Sequence, residues 1–104
     1  MRRGEVWWAE LPPPIGHRPV VLLSRNEAYR VRELVIVAPV TTTTRHIPAE
    51  VPLSVKDGLP KSCVVNLDTL MTIRKAKLTK HLASLRPEKL DAINEALKFS
   101  LAIP

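Results

Sequence analysis

Ser62-Cys63-Val64-Val65-Asn66-Leu67-Asp68-Thr69-Leu70-Met71-Thr72-Ile73 is the longest β-prone run in the chain. Read as one strand, it sets Val64, Asn66 and Asp68 on one face and Val65, Leu67 and Thr69 on the other. Shorter runs of the same kind precede it. Val51 to Val55 predicts a strand closed by the turn Lys56-Asp57-Gly58. Leu34 to Val40 (LVIVAPV) predicts another, with Pro39 marking an edge or a bulge because it has no N–H for a ladder. Pro19 to Leu23 (PVVLL) has no polar residue, the pattern of a strand covered on both faces. Val6 to Leu11 predicts the first strand, with Val6 and Trp8 facing one way, Trp7 the other, and Trp8 in the core. Pro12-Pro13-Pro14 ends it.

Beyond Ile73 the period changes. Thr79 to Leu85 reads as a short helix. After Pro87, suited to a first helical position, Leu90, Ile93, Leu97 and Leu101 recur at spacings of three and four. Glu88 and Asp91 near the start and Lys98 near the end match the helix dipole. This predicts a C-terminal amphipathic helix of three to four turns. Five or six short, mostly antiparallel strands and a helix make an α+β domain built on a small barrel or a strongly curved sheet.

Composition narrows the function. At 104 residues and 11.7 kDa the chain is expected to be one domain, residues 1–104. Sixteen Lys and Arg against ten Asp and Glu give a net charge of +6 and a pI near 10.0, which favours a polyanionic partner. Arg74, Lys75, Lys77 and Lys80 cluster with no acid among residues 71–80. No apolar run approaches the roughly 20 residues of a membrane helix, so no membrane association is expected. The single cysteine, Cys63, fits a reducing cytoplasm and, within an apolar run, an inert thiol. His17, His46 and His81 are far apart and lack a cysteine pair, which argues against a structural zinc site. Three glycines cannot build a nucleotide-binding fingerprint, and no Gly-x-Ser-x-Gly elbow occurs.

Two segments carry candidate chemistry. In Gly16-His17-Arg18-Pro19 the proline holds Arg18 in extended geometry, so its strand aims the guanidinium. In Pro39-Val40-Thr41-Thr42-Thr43-Thr44 hydroxyls gather at a strand end, where they either form turns or donate to phosphate oxygens.

Together with Arg3-Gly4-Glu5-Val6-Trp7, Val37-Ala38-Pro39-Val40-Thr41-Thr42 and Val64-Val65-Asn66-Leu67-Asp68-Thr69, these segments resemble the MazF/PemK ribonuclease toxins over nearly the whole chain, including the helix from Pro87 to Ser100. The resemblance implies an SH3-like barrel with appended helices, a homodimer, and cytoplasmic cleavage of single-stranded RNA without a metal or other cofactor. It also implies neutralisation by an antitoxin with a disordered acidic segment. Arg18 matches the family's catalytic arginine and Thr41 its catalytic threonine; Asn26 matches a polar position near the RNA groove. Thr69 stands where many relatives have glutamine and Met71 where some have arginine. RNA contacts are expected from His17, Asn26, Thr42, Arg45, Lys56, Thr69 and Arg74, and His17 is a conceivable proton carrier. Two other readings share this shape: a barrel that inhibits a protein target such as gyrase, and a nucleic-acid-binding barrel without catalysis.

Overall fold

Asn66 breaks the long run in two. In the computed structural model, which describes residues 1–104, the elements are β1 (Glu5–Glu10), β2 (His17–Leu22), α1 (Ala28–Val31), β3 (Leu34–Thr41), β4 (Glu50–Leu53), β5 (Cys63–Asn66), β6 (Met71–Arg74), β7 (Leu78–Ser84) and α2 (Pro87–Leu101). Short 3-10 turns lie at Val55–Asp57 and Lys75–Lys77. Strands β5 and β6 both pair with β3: Val65 faces Val40, and Met71 faces Val37. Two residues of β3 separate those positions, against five on the other chain segment, so three extra residues bulge out.

The cause lies in Pro39 and Asn66. The β5 register carries Asn66 opposite Pro39, which has no N–H to give. Asn66 closes a turn of its own instead. Its Oδ1 accepts the Asp68 N–H at 2.8 Å and its carbonyl accepts the Thr69 N–H at 3.4 Å. Pro39 therefore sits at a bulge, as expected. The single alternating strand does not form: Val64, Val65, Asn66 and Leu67 are all buried.

All strand pairs are antiparallel, in the order β4-β5-β3-β2-β1-β7, with β6 also on β3. The sheet does not close into the expected barrel, because β4 and β7 remain unpaired edges. In β4, Pro52 cannot donate and its carbonyl accepts from Lys89 Nζ on α2. The expected helix at Thr79 to Leu85 is strand β7, paired with β1 from Glu5–Ser84 to Ala9–Leu78. Seven residues are too few to hold a helix in water unaided, and the free edge of β1 captures them. Two irregularities in that pairing, at Val6/Trp7 and Trp8/Ala9, spoil the predicted alternation of β1. Val6 and Ala9 are buried, whereas both tryptophans are only partly covered.

Strands β2 and β3 feed two cores. Val21, Ala38 and Val40 join Leu53, Val65 and Leu67 under Ile93 and Ala96 of α2. Val20, Leu22, Val35 and Val37 join Ala9, Leu11, Tyr29 and Leu78 on the other side. The PVVLL segment is covered on both faces, as its sequence predicts. Leu90 and Leu97 pack partly on the first core, while Phe99, Leu101 and Ile103 stay more than half exposed. Arg3, just ahead of β1, ties the end of β2 to α2, with Nε donating to the Leu23 carbonyl and Nη2 to Asn94 Oδ1 at 2.8 Å.

Gly58 caps the turn after β4 at φ +95°, and a Cβ there would come within 2.8 Å of the Ala83 Cβ on β7. Two rigid methyls cannot yield as a long side chain can. Gly58→Ala is therefore expected to cost about 2–3 kcal/mol, from the left-handed backbone and the overlap together. A melting temperature lowered by roughly 10 °C or more would show it; an unchanged one would refute the argument.

Candidate functional site

Strands β2 and β3 pair from Leu22–Val37 to Val20–Pro39, and that register, carried two residues past its last pair, brings Arg18 of β2 toward Thr41 of β3. Both line one cleft of about 210 Å³, together with Pro39, Thr43, Arg45, Asn66 and Thr69, and with Ile15 and Met71 as its apolar members. Arg18 is half-buried and forms no ion pair or side-chain hydrogen bond within the chain. Thr41 Oγ1 accepts the Thr43 N–H at 3.2 Å, which leaves the hydroxyl proton to donate. No carboxylate lines the cleft. Chemically it is a set of donors with two arginines among them, suited to an anion.

The loop after Thr41 is held by Glu50. Its carboxylate accepts the Arg45 N–H at 2.9 Å and the Thr44 hydroxyl at 3.1 Å. Slight burial works against the charge, but those two donors outweigh it and hold Glu50 below the ordinary 4.5. A depressed folded-state value means that the stabilisation is complete above the unfolded value and fades as pH falls through the folded one. Exchange protection of the Arg45 amide should accordingly persist through the ordinary carboxylate range and weaken only at pH values below it, and Glu50→Gln should remove that acid step. Protection independent of pH in the unaltered protein would contradict this.

His17 adjoins Arg18 in sequence but not in space, since neighbours on a strand point to opposite faces. Its ring stacks on Trp8, centroids 4.6 Å apart and planes 4° apart, and its Nδ1 meets Glu10 Oε1. Trp8 is thus no core residue. It lines a second cleft of about 110 Å³ on the reverse face with Pro19, Val40, Thr42, Leu59, Pro60, Lys61 and Cys63, and Thr41 belongs to both clefts. Burial, helped by the Asp57 charge, pushes the Cys63 thiol above its ordinary value, the environment of an unreactive cysteine.

Of the sequence-selected residues, the structure brings Arg18, Thr41, Arg45 and Thr69 into the first cleft and Thr42 into the second. His17 flanks the second through Trp8. Asn26, Lys56 and Arg74 lie elsewhere. Asn26 Oδ1 accepts the Arg3 N–H at 2.6 Å and lines a separate cavity with Arg2, Arg30 and Lys75. Lys56 sits in the 3-10 turn capped by Ser54 and Asp57, and Arg74 lies at the far end of β6, opposite Leu34. Lys75 donates to the Tyr29 carbonyl, so the 71–80 cations do not converge on the cleft. Sequence reasoning missed Asn66, Trp8 and Lys61, and took in Thr43 only as part of the Pro39–Thr44 segment. For Asn66 the signal was present: a carboxamide inside an apolar run needs a hydrogen-bond reason.

No group of three or more His, Cys, Asp and Glu is gathered to hold a metal ion. No helix is long and apolar enough to cross a membrane.

Fold and site define a small, basic α+β protein whose open sheet carries a donor-rich cleft without a carboxylate. The chain belongs to the family of PemK-like, MazF-like toxins of type II toxin-antitoxin systems, whose family model matches residues 2–101. It is 41% identical over 100 residues to the probable endoribonuclease MazF5 of Mycobacterium tuberculosis, covering 95% of this chain and 91% of that protein. It is 32% identical to endoribonuclease EndoA of Bacillus subtilis, covering 99% and 96%. Among solved structures, a mycobacterial endoribonuclease in complex with its cognate antitoxin superposes with a TM-score of 0.88 at 32% identity, covering 100% of this chain and 97% of that one. Toxin MazF-mt6 of Mycobacterium tuberculosis gives 0.89 at 30% identity, covering 96% and 98%.

Proposed function

We propose that residues 1–104 act as one toxin domain that cleaves single-stranded RNA without a metal, in the cytoplasm, and is neutralised by an antitoxin. One observation carries the reading: Arg18 of β2 and Thr41 of β3 line one cleft, with donors around them and no acid. RNA holds its own nucleophile. The 2′-oxygen bonds to phosphorus and the bond to the 5′-oxygen breaks, leaving a 2′,3′-cyclic phosphate and a 5′-OH. One proton leaves the 2′-OH and one joins the departing 5′-oxygen. The enzyme's part is alignment and stabilisation of charge on the phosphorane oxygens. Arg18 supplies a guanidinium with several donors and Thr41 a hydroxyl. Arginine stays protonated at neutral pH, so Arg18 contributes charge and donors rather than a base. Arg45 and Thr69 extend the contact along the strand being cut, and Thr42, with the His17–Trp8 stack, lies where RNA turning past Thr41 would meet the reverse face.

The net charge of +6 suits an acidic, disordered antitoxin segment that competes with RNA. Exposed Phe99, Leu101 and Ile103 do not pack on their own sheet and are available to a second copy in a homodimer. The open, bent sheet is a relative of the SH3-like barrel that the family resemblance implies.

Incubation of RNA with the protein in EDTA tests the function. Fragments with 5′-OH ends are expected, and light scattering should give the mass of a dimer. Intact RNA refutes the nuclease. Salt-sensitive binding without cleavage would favour a binding barrel instead, and a monomer at micromolar concentration refutes the dimer.

A further inference from the structure

We infer that Asn66 is a third donor to the scissile phosphate, its carboxamide N–H groups reaching a non-bridging oxygen beside Arg18 and Thr41. This rests on the nuclease reading. Asn66 is only 6% exposed, yet it lines the Arg18–Thr41 cleft. Its orientation is decided by chemistry: Oδ1 must face the Asp68 N–H, which it accepts at 2.8 Å. The two donors on Nδ2 then face away from the turn. They have no partner within the chain, and no sealed side-chain nitrogen or oxygen lacks one. Nδ2 therefore opens onto the cleft. A carboxamide so nearly buried, with unspent donors, calls for an acceptor from outside.

Three features favour phosphate oxygen over a base edge. With its oxygen engaged in the turn, the carboxamide cannot offer the paired donor and acceptor with which asparagine reads a base. Its register position opposite Pro39 sets it one alternate residue along from Thr41 on the same face. The other polar groups lining this cleft are a hydroxyl-rich strand end and two arginines, a phosphate-binding set. The Asx turn holds the donor still before substrate arrives, the preorganisation that makes such contacts effective.

Asn66→Asp tests the assignment, since aspartate keeps an oxygen for the Asp68 N–H and the same shape but donates nothing. Single-turnover cleavage of a short RNA is expected to slow by about a hundredfold in Asn66→Asp and in Asn66→Ala, the usual effect of losing one such donor. The 5′-OH ends should keep their sequence pattern. Sulfur accepts hydrogen bonds weakly, so one of the two phosphorothioate diastereomers at the cleavage site should be cut slowly by the unaltered protein, and that penalty should shrink in both variants. Wild-type rates in Asn66→Asp would mean that the residue only builds its turn. A changed sequence pattern would mean that it reads a base. Equal cleavage of both diastereomers by the unaltered protein overturns the assignment even if a variant fails to fold. Each of these results leaves the nuclease intact; unaltered protein that leaves RNA whole in EDTA overturns both.

Discussion

Arg18→Ala should lower RNA cleavage by about a thousandfold, the upper range for removing one preorganised donor, because a full charge goes with it. The loss should fall on the chemical step. Substrate affinity draws also on Arg45, Thr69 and the diffuse charge of +6, whereas the developing phosphorane charge sits against the guanidinium. Stability should hardly move. Arg18 has no ion pair or side-chain hydrogen bond to lose, and such surface substitutions usually stay within about 0.5 kcal/mol. Arg18→Lys is the sharper variant: it keeps the charge but loses the planar set of donors, and an intermediate rate is expected. Single-turnover rates with melting temperatures check all three points. An Arg18→Ala protein that cuts at the normal rate would remove the basis of the mechanism.

Thr41→Val should slow cleavage by about a hundredfold while Thr41→Ser stays near the unaltered rate. Valine matches threonine in shape but lacks the hydroxyl, so the cleft keeps its form and loses a donor. The substitution also frees the Thr43 N–H, now bound to Thr41 Oγ1, but that end of the loop is exposed and water can replace the acceptor. Glu50 still holds the Arg45 end. Equal rates for valine and serine would show that Thr41 acts only through strand geometry. The mechanism further requires RNA with a 2′-deoxy sugar at the cleavage point to stay whole with every variant, because the nucleophile is then missing.

How far these sites were legible depends on what fixes each of them. Leu90, Ile93 and Leu97 announce α2 because a 15-residue helix spans enough periods to be recognised. Seven residues at Thr79 to Leu85 do not, and the vacant edge of β1 made the choice. Arg18 and Thr41 were picked out by a resemblance in short motifs; nothing local to either says that they meet. His17 shows the opposite case: its neighbour in the chain is Arg18, but the pleat sends it to Trp8. Asn26 and Arg74 had suitable chemistry, but the fold sets them away from the cleft, Asn26 with its Oδ1 on the Arg3 N–H and Arg74 opposite Leu34.

By itself the sequence determined a basic α+β chain: which segments extend, where the last helix starts, and which side chains could face an anion. Those properties are local or compositional, set by alternation, proline and charge. Tertiary structure alone decided that Arg18 and Thr41 share a cleft, that the 62–73 run breaks at Asn66, and that the sheet stays open at β4 and β7. Each is a matter of register or edge pairing between segments distant in the chain. A shift of one residue there would turn every side chain to the other face.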